Sequence, residues 1–327
     1  MNPAARAFWL SSPGHGELRD VTLPEPGEGE VLVRALYSGV SRGTETLVFR
    51  GGVPASQHDV MRAPFQEGDF PAPVKYGYLS VGVVERGPDA LIGRTVFCLH
   101  PHQSRYVVPV SAVTVVPEQV PAARAVLAGT VETAVNALWD AAPLIGDRIS
   151  VVGGGMVGCS VAALLARFPG VRLQLVDADP ARAETAKALG VDFATPADAT
   201  GERDLVVHAS ATEQGLTRAL ELLAPEGTVV ELSWYGDRRV SLPLGEAFHS
   251  RRLTVRGSQV GTVSPAARPG RGYAERMTLA LDLLADPALD ALITGESEFD
   301  ELPELMPRLT SGEIPALCHR IRYPDPA

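Results

Sequence analysis

Three glycines, Gly153, Gly155 and Gly158, form a G-x-G-x-x-G spacing inside VVGGGMVGCSVAALLARF. They follow the apolar run RISVV and lead into an Ala/Leu-rich stretch, so the motif sits where a strand turns into a helix. Each glycine then has a separate task. Gly153 permits the tight turn, Gly155 lets the backbone approach a pyrophosphate, and Gly158 lets the helix pack close to the strand. The helix start, with Met156 and Val157 inside the motif, offers unpaired N–H groups and the positive end of the helix dipole to phosphate oxygens. The next apolar run, LQLVD, ends in Asp177, 19 residues after Gly158. An acid about 20 residues beyond the glycines accepts from adenosine ribose hydroxyls. Its charge repels a 2′-phosphate, which favours NAD(H) over NADP(H). Arg182, one helical turn into the following stretch, can approach the same ribose. The alternative is a glycine-rich turn that binds nothing, but strand, helix and acid all stand where a dinucleotide requires them.

The elements that must hold these residues follow from the texture of the chain. Residues 1 to about 120 alternate short Val- and Tyr-rich runs with Gly and Pro, as in EVLVRALYSGV, VKYGYLSVGVVERG and SRYVVPVSAVTVVP. That pattern predicts a mostly β half. From about 122 the chain turns Ala-rich and helical (AARAVLAGTVETAVNALWDAA), and strands then alternate with helices: RISVVGG, SVAALLARF, VRLQLVDAD, ARAETAKALG, DLVVHAS, GLTRALELLA, GTVVELSW, RLTVRGS. Such alternation predicts an α/β domain, a doubly wound parallel sheet covered on both faces. After about 262, GTVSPAARPGRG is a break, and the tail reads as a helix, an acidic loop, a second helix and the closing strand LCHRIRY. The acidic run ESEFDELPE is a solvated loop and helix start.

The 327 residues suggest about two domains. Net charge is −10 and no basic residues cluster, so no nucleic-acid partner is expected. Three scattered cysteines, Cys98, Cys159 and Cys318, fit a reducing compartment rather than a disulfide framework. The apolar run near the N-terminus is too short for a signal peptide, and no stretch has the ~18 apolar residues of a membrane span. The expectation is a cytoplasmic protein with no membrane partner.

On these residues the chain resembles the medium-chain dehydrogenase/reductase superfamily, the zinc alcohol dehydrogenases and their zinc-free relatives, nearly end to end. The texture around SGVSRGTET and HPHQSRYVV is similar to the bacteriochlorophyllide dehydrogenase-like group. The resemblance implies a Rossmann dinucleotide-binding domain over 122–262 and a chaperonin-10-like substrate domain over 1–121 and 263–327. It also implies a homodimer, pairing through the last strand of the cofactor domain, RLTVRGSQV.

The zinc chemistry of that superfamily does not carry over residue by residue. Ser41 in SGVS stands where the zinc enzymes have a cysteine, and Tyr78 and Leu79 in GYLSVGVV replace the ligand histidine and the acid. No cysteine lies near AGTVETA, and TVFCLH runs on to SRYVVP without the four-cysteine structural lobe. A catalytic zinc needs three N, S or O ligands and an open position, so the expectation is a zinc-free member. The resemblance then assigns roles. Tyr78 points into the cleft the zinc histidine would occupy and, with Thr44 as a second candidate, donates to a developing oxyanion. Glu45 orients Arg42 or Thr44, Arg42 reaches the pyrophosphate, and Thr133 lies near the nicotinamide. His208, Ser210, Trp234 and Tyr235 follow the fourth and fifth strands of the parallel sheet, where ligands bind; Ser210 is assigned to the cofactor, Trp234 and Tyr235 to the substrate pocket. Glu132 is either a buried acid near the cleft or a local backbone cap. In CLHPH, Cys98, His100 and His102 at i, i+2, i+4 share one face if the strand continues. They would form a soft N/S cluster, or the strand gives way to a loop and a histidine lines the pocket.

Two classes of function stay open: an oxidoreductase moving a hydride between NAD(P)(H) and an alcohol/ketone or activated alkene, and a non-catalytic dinucleotide-binding redox sensor or structural homolog. Aromatic residues near the expected cleft, among them Tyr76, suit a sizeable apolar or ring-containing small-molecule substrate. Asp177 gives a direct prediction. NAD(H) should bind more tightly than NADP(H), and Asp177→Ser or Asp177→Ala should erode the difference; equal affinities of the unmutated protein in a fluorescence titration would refute it.

Overall fold

The structure is a computed structural model, and it describes residues 4–324. In chain order the strands and helices are β1 (Ala4–Ser12), β2 (His15–Thr22), β3 (Glu30–Ser41), α1 (Arg42–Phe49), β4 (Glu67–Gly68), β5 (Val74–Lys75), β6 (Ser80–Arg86), β7 (Thr95–Cys98), β8 (Arg105–Pro109), β9 (Val113–Val115), α2 (Ala122–Ala125) and α3 (Ala128–Ala141). The alternating part follows with β10 (Arg148–Val152), α4 (Met156–Leu165), β11 (Arg172–Val176), α5 (Arg182–Ala188), β12 (Asp192–Ala194), β13 (Arg203–His208), α6 (Glu213–Glu221), β14 (Leu223–Glu231) and β15 (Thr254–Gly257). The tail holds α7 (Tyr273–Leu283), β16 (Ile293–Glu298), α8 (Leu302–Ser311) and β17 (Cys318–Arg322). The chain divides into two compact units, one of Met1–Gly129, Leu281–Ala285 and Ile293–Ala327, the other of Thr130–Ala280 and Asp286–Leu292.

The first unit is mostly β. A four-stranded sheet runs β2-β1-β5-β4, and a seven-stranded one runs β16-β17-β3-β6-β7-β9, with β8 also paired to β3. The long strand β3 anchors the larger sheet. Its first half pairs antiparallel with β8 and its last residues with β17, while β6 lies along it. Val31 and Val33 of β3 are fully buried with Val84, Val96, Cys98, Tyr106 and Val108, as the Val-rich alternation requires. α1 starts directly after β3 at Ser41, which places the SGVSRGTE segment at a strand-to-helix junction.

The second unit contains one six-stranded sheet, in the order β12-β11-β10-β13-β14-β15, every pair parallel. Numbered within the unit, that is 3-2-1-4-5-6, the dinucleotide-binding order, with its switch point between β10 and β13. The strands are buried runs rather than alternating ones, since Ile149, Val151, Val206, Val207, Val229 and Val230 are all sealed. α6 buries Leu216, Ala219 and Leu220 at helical spacing, and the Thr212 side chain caps its start by accepting from the Gly215 N–H. β15 forms one edge of the sheet, and all four of its residues are exposed. Among the described residues no helix is long and apolar enough to cross a membrane.

The sequence reading ended the Rossmann domain at 262, whereas the contacts carry this unit on to Ala280. Arg276 lies in the added stretch. Its side chain is 2 % exposed, and it donates to Glu132 Oε1 (3.0 Å), Asn136 Oδ1 (2.6 Å) and the Val260 carbonyl (2.7 Å). It thus ties the tail helix to α3 and to the loop after β15. Glu132, read as an acid near the cleft or a backbone cap, is the partner of this buried cation. Burial pushes its carboxyl above the ordinary range and the guanidinium opposes the shift. Arg276→Ala leaves that carboxylate buried and unpaired, so the expected loss is about 3–5 kcal/mol in denaturant unfolding. The double variant Arg276→Met/Glu132→Leu should recover much of it; a single variant as stable as the parent would refute the assignment.

Candidate functional site

In the second unit the glycine turn is built by steric exclusion. Gly153, just after β10, has φ +110°, and a Cβ there would lie 2.6 Å from the Ser210 backbone nitrogen. A Cβ on Gly158 would lie 1.9 Å from the Gly153 carbonyl oxygen, which is how α4 comes down onto the turn. Gly155 is different: nothing stands within 4 Å of where its Cβ would be, so the chain presents bare backbone on an open side. Gly155 is also the N-cap of α4 and carries no side-chain cap, which leaves helix N–H groups for an anion. These residues fit a dinucleotide diphosphate. Met156 is buried and Val157 half-buried at the helix start.

Asp177 follows β11, where the sequence put it, but with an added task. One carboxylate oxygen accepts from the Gly154 N–H (2.6 Å) and the other from the Asp179 N–H (2.8 Å). The acid therefore shapes the turn. Arg182 packs its stem beside Gly154 and pairs with Asp179 (3.4 Å). Ser210, Trp234 and Tyr235 lie half-buried beyond β13 and β14, and Thr133 is half-buried on α3. His208 is fully buried. Its Nδ1 meets Glu231 Oε2 at 2.7 Å and its Nε2 meets Ser210 Oγ at 2.6 Å. Glu231 was missed by the sequence reading. The signal was there: GTVVELS and DLVVHAS each carry one charged or titratable residue at the end of an apolar central strand, and parallel register pairs His208 with Glu231.

In the first unit, Tyr78 is half-buried and hydrogen-bonded to the side chains of Ser41 and Thr44. Burial, and then the nearby Glu45 carboxylate, push its hydroxyl up to about 12 while those two bonds pull it down. A hydroxyl held this high keeps its proton. Glu45, expected to orient Arg42 or Thr44, engages the Ser41 N–H (2.7 Å) and His102 Nε2 (2.9 Å). Beyond it the chain of contacts runs from His102 Nδ1 to Ser38 Oγ (2.7 Å) and on to the Tyr323 hydroxyl (3.0 Å). Ser38 and Tyr323 carried no sequence signal, because β17 brings Tyr323 from the far end of the chain. Gly77, φ +130°, leaves room for the His102 ring, 3.0 Å from where its Cβ would be.

CLHPH does not continue as a strand. β7 ends at Cys98, and the three residues go different ways. Cys98 joins the valine core and His102 joins Glu45. His100 stacks on Tyr106 with ring centroids 3.8 Å apart, and burial lowers it to about 3. Both histidines, expected to line a pocket, are almost wholly buried. Among the described residues no group of three or more His, Cys, Asp or Glu is placed to hold a metal. Ser41 and Tyr78 bond to each other where the zinc enzymes would have ligands, so these residues do not fit a zinc ion.

No family model matches the chain. A segment of 84 residues is 36% identical to 2-desacetyl-2-hydroxyethyl bacteriochlorophyllide A dehydrogenase of Cereibacter sphaeroides; it spans 25% of this chain and 23% of that protein. Among solved structures, a zinc-binding dehydrogenase of Sinorhizobium meliloti 1021, bound to NADP, superposes with a TM-score of 0.78 at 17% identity, covering 98% of this chain and 99% of that one. An alcohol dehydrogenase of Escherichia coli CFT073, complexed with NADH, gives 0.77 at 16% identity with the same coverage. The chain thus shares the fold of these dehydrogenases: a parallel Rossmann sheet and a β-rich unit within one chain. Gly158→Ala tests the crevice. A methyl 1.9 Å from a backbone oxygen cannot be absorbed, so NAD(H) binding in a fluorescence titration should fall at least about tenfold, a loss of about 1.4 kcal/mol; unchanged binding would place the dinucleotide elsewhere.

Proposed function

We propose that the chain is a nicotinamide-dinucleotide-dependent oxidoreductase that works without zinc, interconverting an alcohol and a ketone or reducing an activated alkene, with NAD(H) preferred. The observation that carries this reading is the glycine turn at the switch point of the sheet, where Gly153 and Gly158 exclude side chains sterically and Gly155 leaves bare backbone on an open side. The dinucleotide, when bound, supplies or accepts the hydride. Gly153, Gly155, Gly158 and the start of α4 hold its diphosphate, Arg42 assists as a bidentate donor, and Asp177 takes the ribose hydroxyls. Thr133 is assigned beside the nicotinamide, and Trp234 and Tyr235 to the wall of a pocket for an apolar or ring-containing substrate. Asp177 also fastens Gly154, so its loss weakens NAD(H) as well as relaxing the choice of cofactor. The exposed edge strand β15 is the surface through which a second copy would pair.

The role of Tyr78 follows from its surroundings. A phenol held near 12 stays protonated at any ordinary pH, so it is a permanent hydrogen-bond donor to an oxygen that gains negative charge. An alkoxide is a stronger base than this phenolate, and the Tyr78 proton passes to it. Ser41 and Thr44, already bonded to the hydroxyl, then stabilise the phenolate left behind. The pair Glu45–His102 fixes the start of α1 through the Ser41 N–H and so fixes where Ser41 and Thr44 point.

With NADH and a panel of ketones, quinones and enones, the protein should turn over without stoichiometric zinc and should be indifferent to chelators. Tyr78→Phe should lower kcat roughly tenfold or more with NADH affinity nearly unchanged. One zinc per chain in elemental analysis would overturn the zinc-free part. Dinucleotide binding with no turnover of any substrate would favour the non-catalytic sensor, for which the replaced zinc ligands are the argument.

A further inference from the structure

At the amino ends of its parallel strands the second unit has an open groove of about 1080 Å³. The chemistry above makes no use of it, since the glycine turn lies at the carboxyl ends, where such sheets bind their dinucleotides. Three arginines line the groove: Arg148 at the start of β10, Arg172 at the start of β11 and Arg203 at the start of β13. Arg203 is 8 % exposed, yet no carboxylate among the described residues pairs with it. Its Nε donates to the Thr200 carbonyl (2.8 Å) and its Nη1 to the Arg172 carbonyl (3.3 Å). Its Nη2 donates to no described residue and is open to solvent.

A buried charge is ordinarily paired, and the acid next to Arg203 in sequence is taken. Asp204 accepts from Arg148 Nε (3.1 Å) and Nη2 (2.7 Å). Register brings the Arg203 guanidinium and Arg172 to one side. Gln174 Nε2 and Arg203 Nε donate to the same Thr200 carbonyl, each at 2.8 Å, so the guanidinium sits on the face of the sheet that carries Gln174. Arg172, two residues earlier on β11, shares that face. Arg172 is exposed, and its side chain makes no hydrogen bond or ion pair with a described residue. Four acids also line the groove. Asp198 accepts from the Thr195 hydroxyl (2.7 Å), Glu202 from Arg251 (2.6 Å) and Glu221 from Arg218 (2.9 Å). The fourth, Asp192, is exposed and stands in register with Gln174.

We propose that this groove binds a small molecule through a phosphate dianion, held between the Arg172 guanidinium and Nη2 of Arg203. Guanidinium donors match phosphate oxygens in geometry, and charge-assisted bonds of this kind are the strong ones. A phosphate also brings the counter-charge that the chain itself withholds from Arg203. The groove is far larger than a phosphate ion and is of the size, about 300–1,000 Å³, that holds small organic ligands. The phosphate is therefore carried as a monoester on an organic part. Asp192, on the same face, repels the dianion and tempers its affinity. The site stands apart from the dinucleotide reading: Arg148 begins the strand that Gly153 ends, so the two lie at opposite ends of β10.

The test is a calorimetric titration of the whole chain with inorganic phosphate and, separately, with glycerol 3-phosphate. It is run at about pH 7.5, where a phosphate is largely a dianion, and with saturating NADH, so that phosphate at the glycine turn is not counted. One site per chain is expected. Arg172→Gln removes no contact of the folded chain and should weaken binding about tenfold, as loss of a charged hydrogen bond does. Asp192→Asn should tighten it roughly threefold, which arginines that only clamp carbonyls would not produce. Tighter binding of the ester than of inorganic phosphate supports the organic part; equal binding overturns that part and leaves a site for free phosphate. No binding of either, or binding that Arg172→Gln leaves unchanged, overturns the site. The comparison with Arg172→Gln holds whether or not NADH binds, so failure of the dinucleotide reading is told apart from failure of this one.

Discussion

The second unit is organised by the absence of three β-carbons. β10, β13 and α4 converge on one turn because Gly153 lets the Ser210 backbone through and Gly158 lets the helix rest on the Gly153 carbonyl. No hydrogen bond or salt bridge substitutes for that closeness; a methyl group at either place would push the layers apart. The open side at Gly155, the uncapped start of α4 and the placement of Ser210 beside the turn all follow from it. Asp177 fastens Gly154 from the neighbouring strand, so turn and acid form a single mechanical part.

The first unit is governed by a different economy. It carries a row of hydroxyls and one acid–histidine pair, joined from Tyr323 through Ser38 and His102 to Glu45 and the Ser41 backbone. Buried polar atoms are tolerable when each finds a partner, and each member of this row does. The row does not reach Tyr78 through side chains alone, because its link to Ser41 is through the backbone. Tyr78 is therefore positioned by this network rather than activated by it, and its high-lying hydroxyl agrees with that.

Local patterns made much of this visible in advance. The parallel sheet was legible from apolar runs alternating with helical ones, and the crevice from glycine spacing and one acid, because those features depend on residues close together in sequence. What stayed hidden depends on residues far apart. Arg276 bonds Glu132 and Asn136 across 144 and 140 residues of chain. Tyr323 entered a network with Ser38, and Glu231 paired with His208 across a strand register. CLHPH misled for a local reason: alternation holds only while a strand continues, and β7 ends at Cys98. Tyr78 was singled out by position, but its proton affinity depends on Glu45 and on burial, which spacing does not encode.

The β-rich unit is assembled from both ends of the chain. β3 is made early, but its neighbour β17 comes only after the whole alternating unit has been synthesised, and it pairs Cys318 to Arg322 against Ser41 to Tyr37. During synthesis, the end of β3 that leads into Ser41 and α1 therefore lacks its β17 partner for a long interval, while the Rossmann unit, whose strands are nearly contiguous, can already close. Tyr323, just past β17, supplies the hydroxyl that meets Ser38. The Tyr323 link to the Ser38–His102–Glu45 row is thus supplied by the last-made part of the first unit, and a chain cut short before β17 would keep the parallel sheet of the second unit and lose that link.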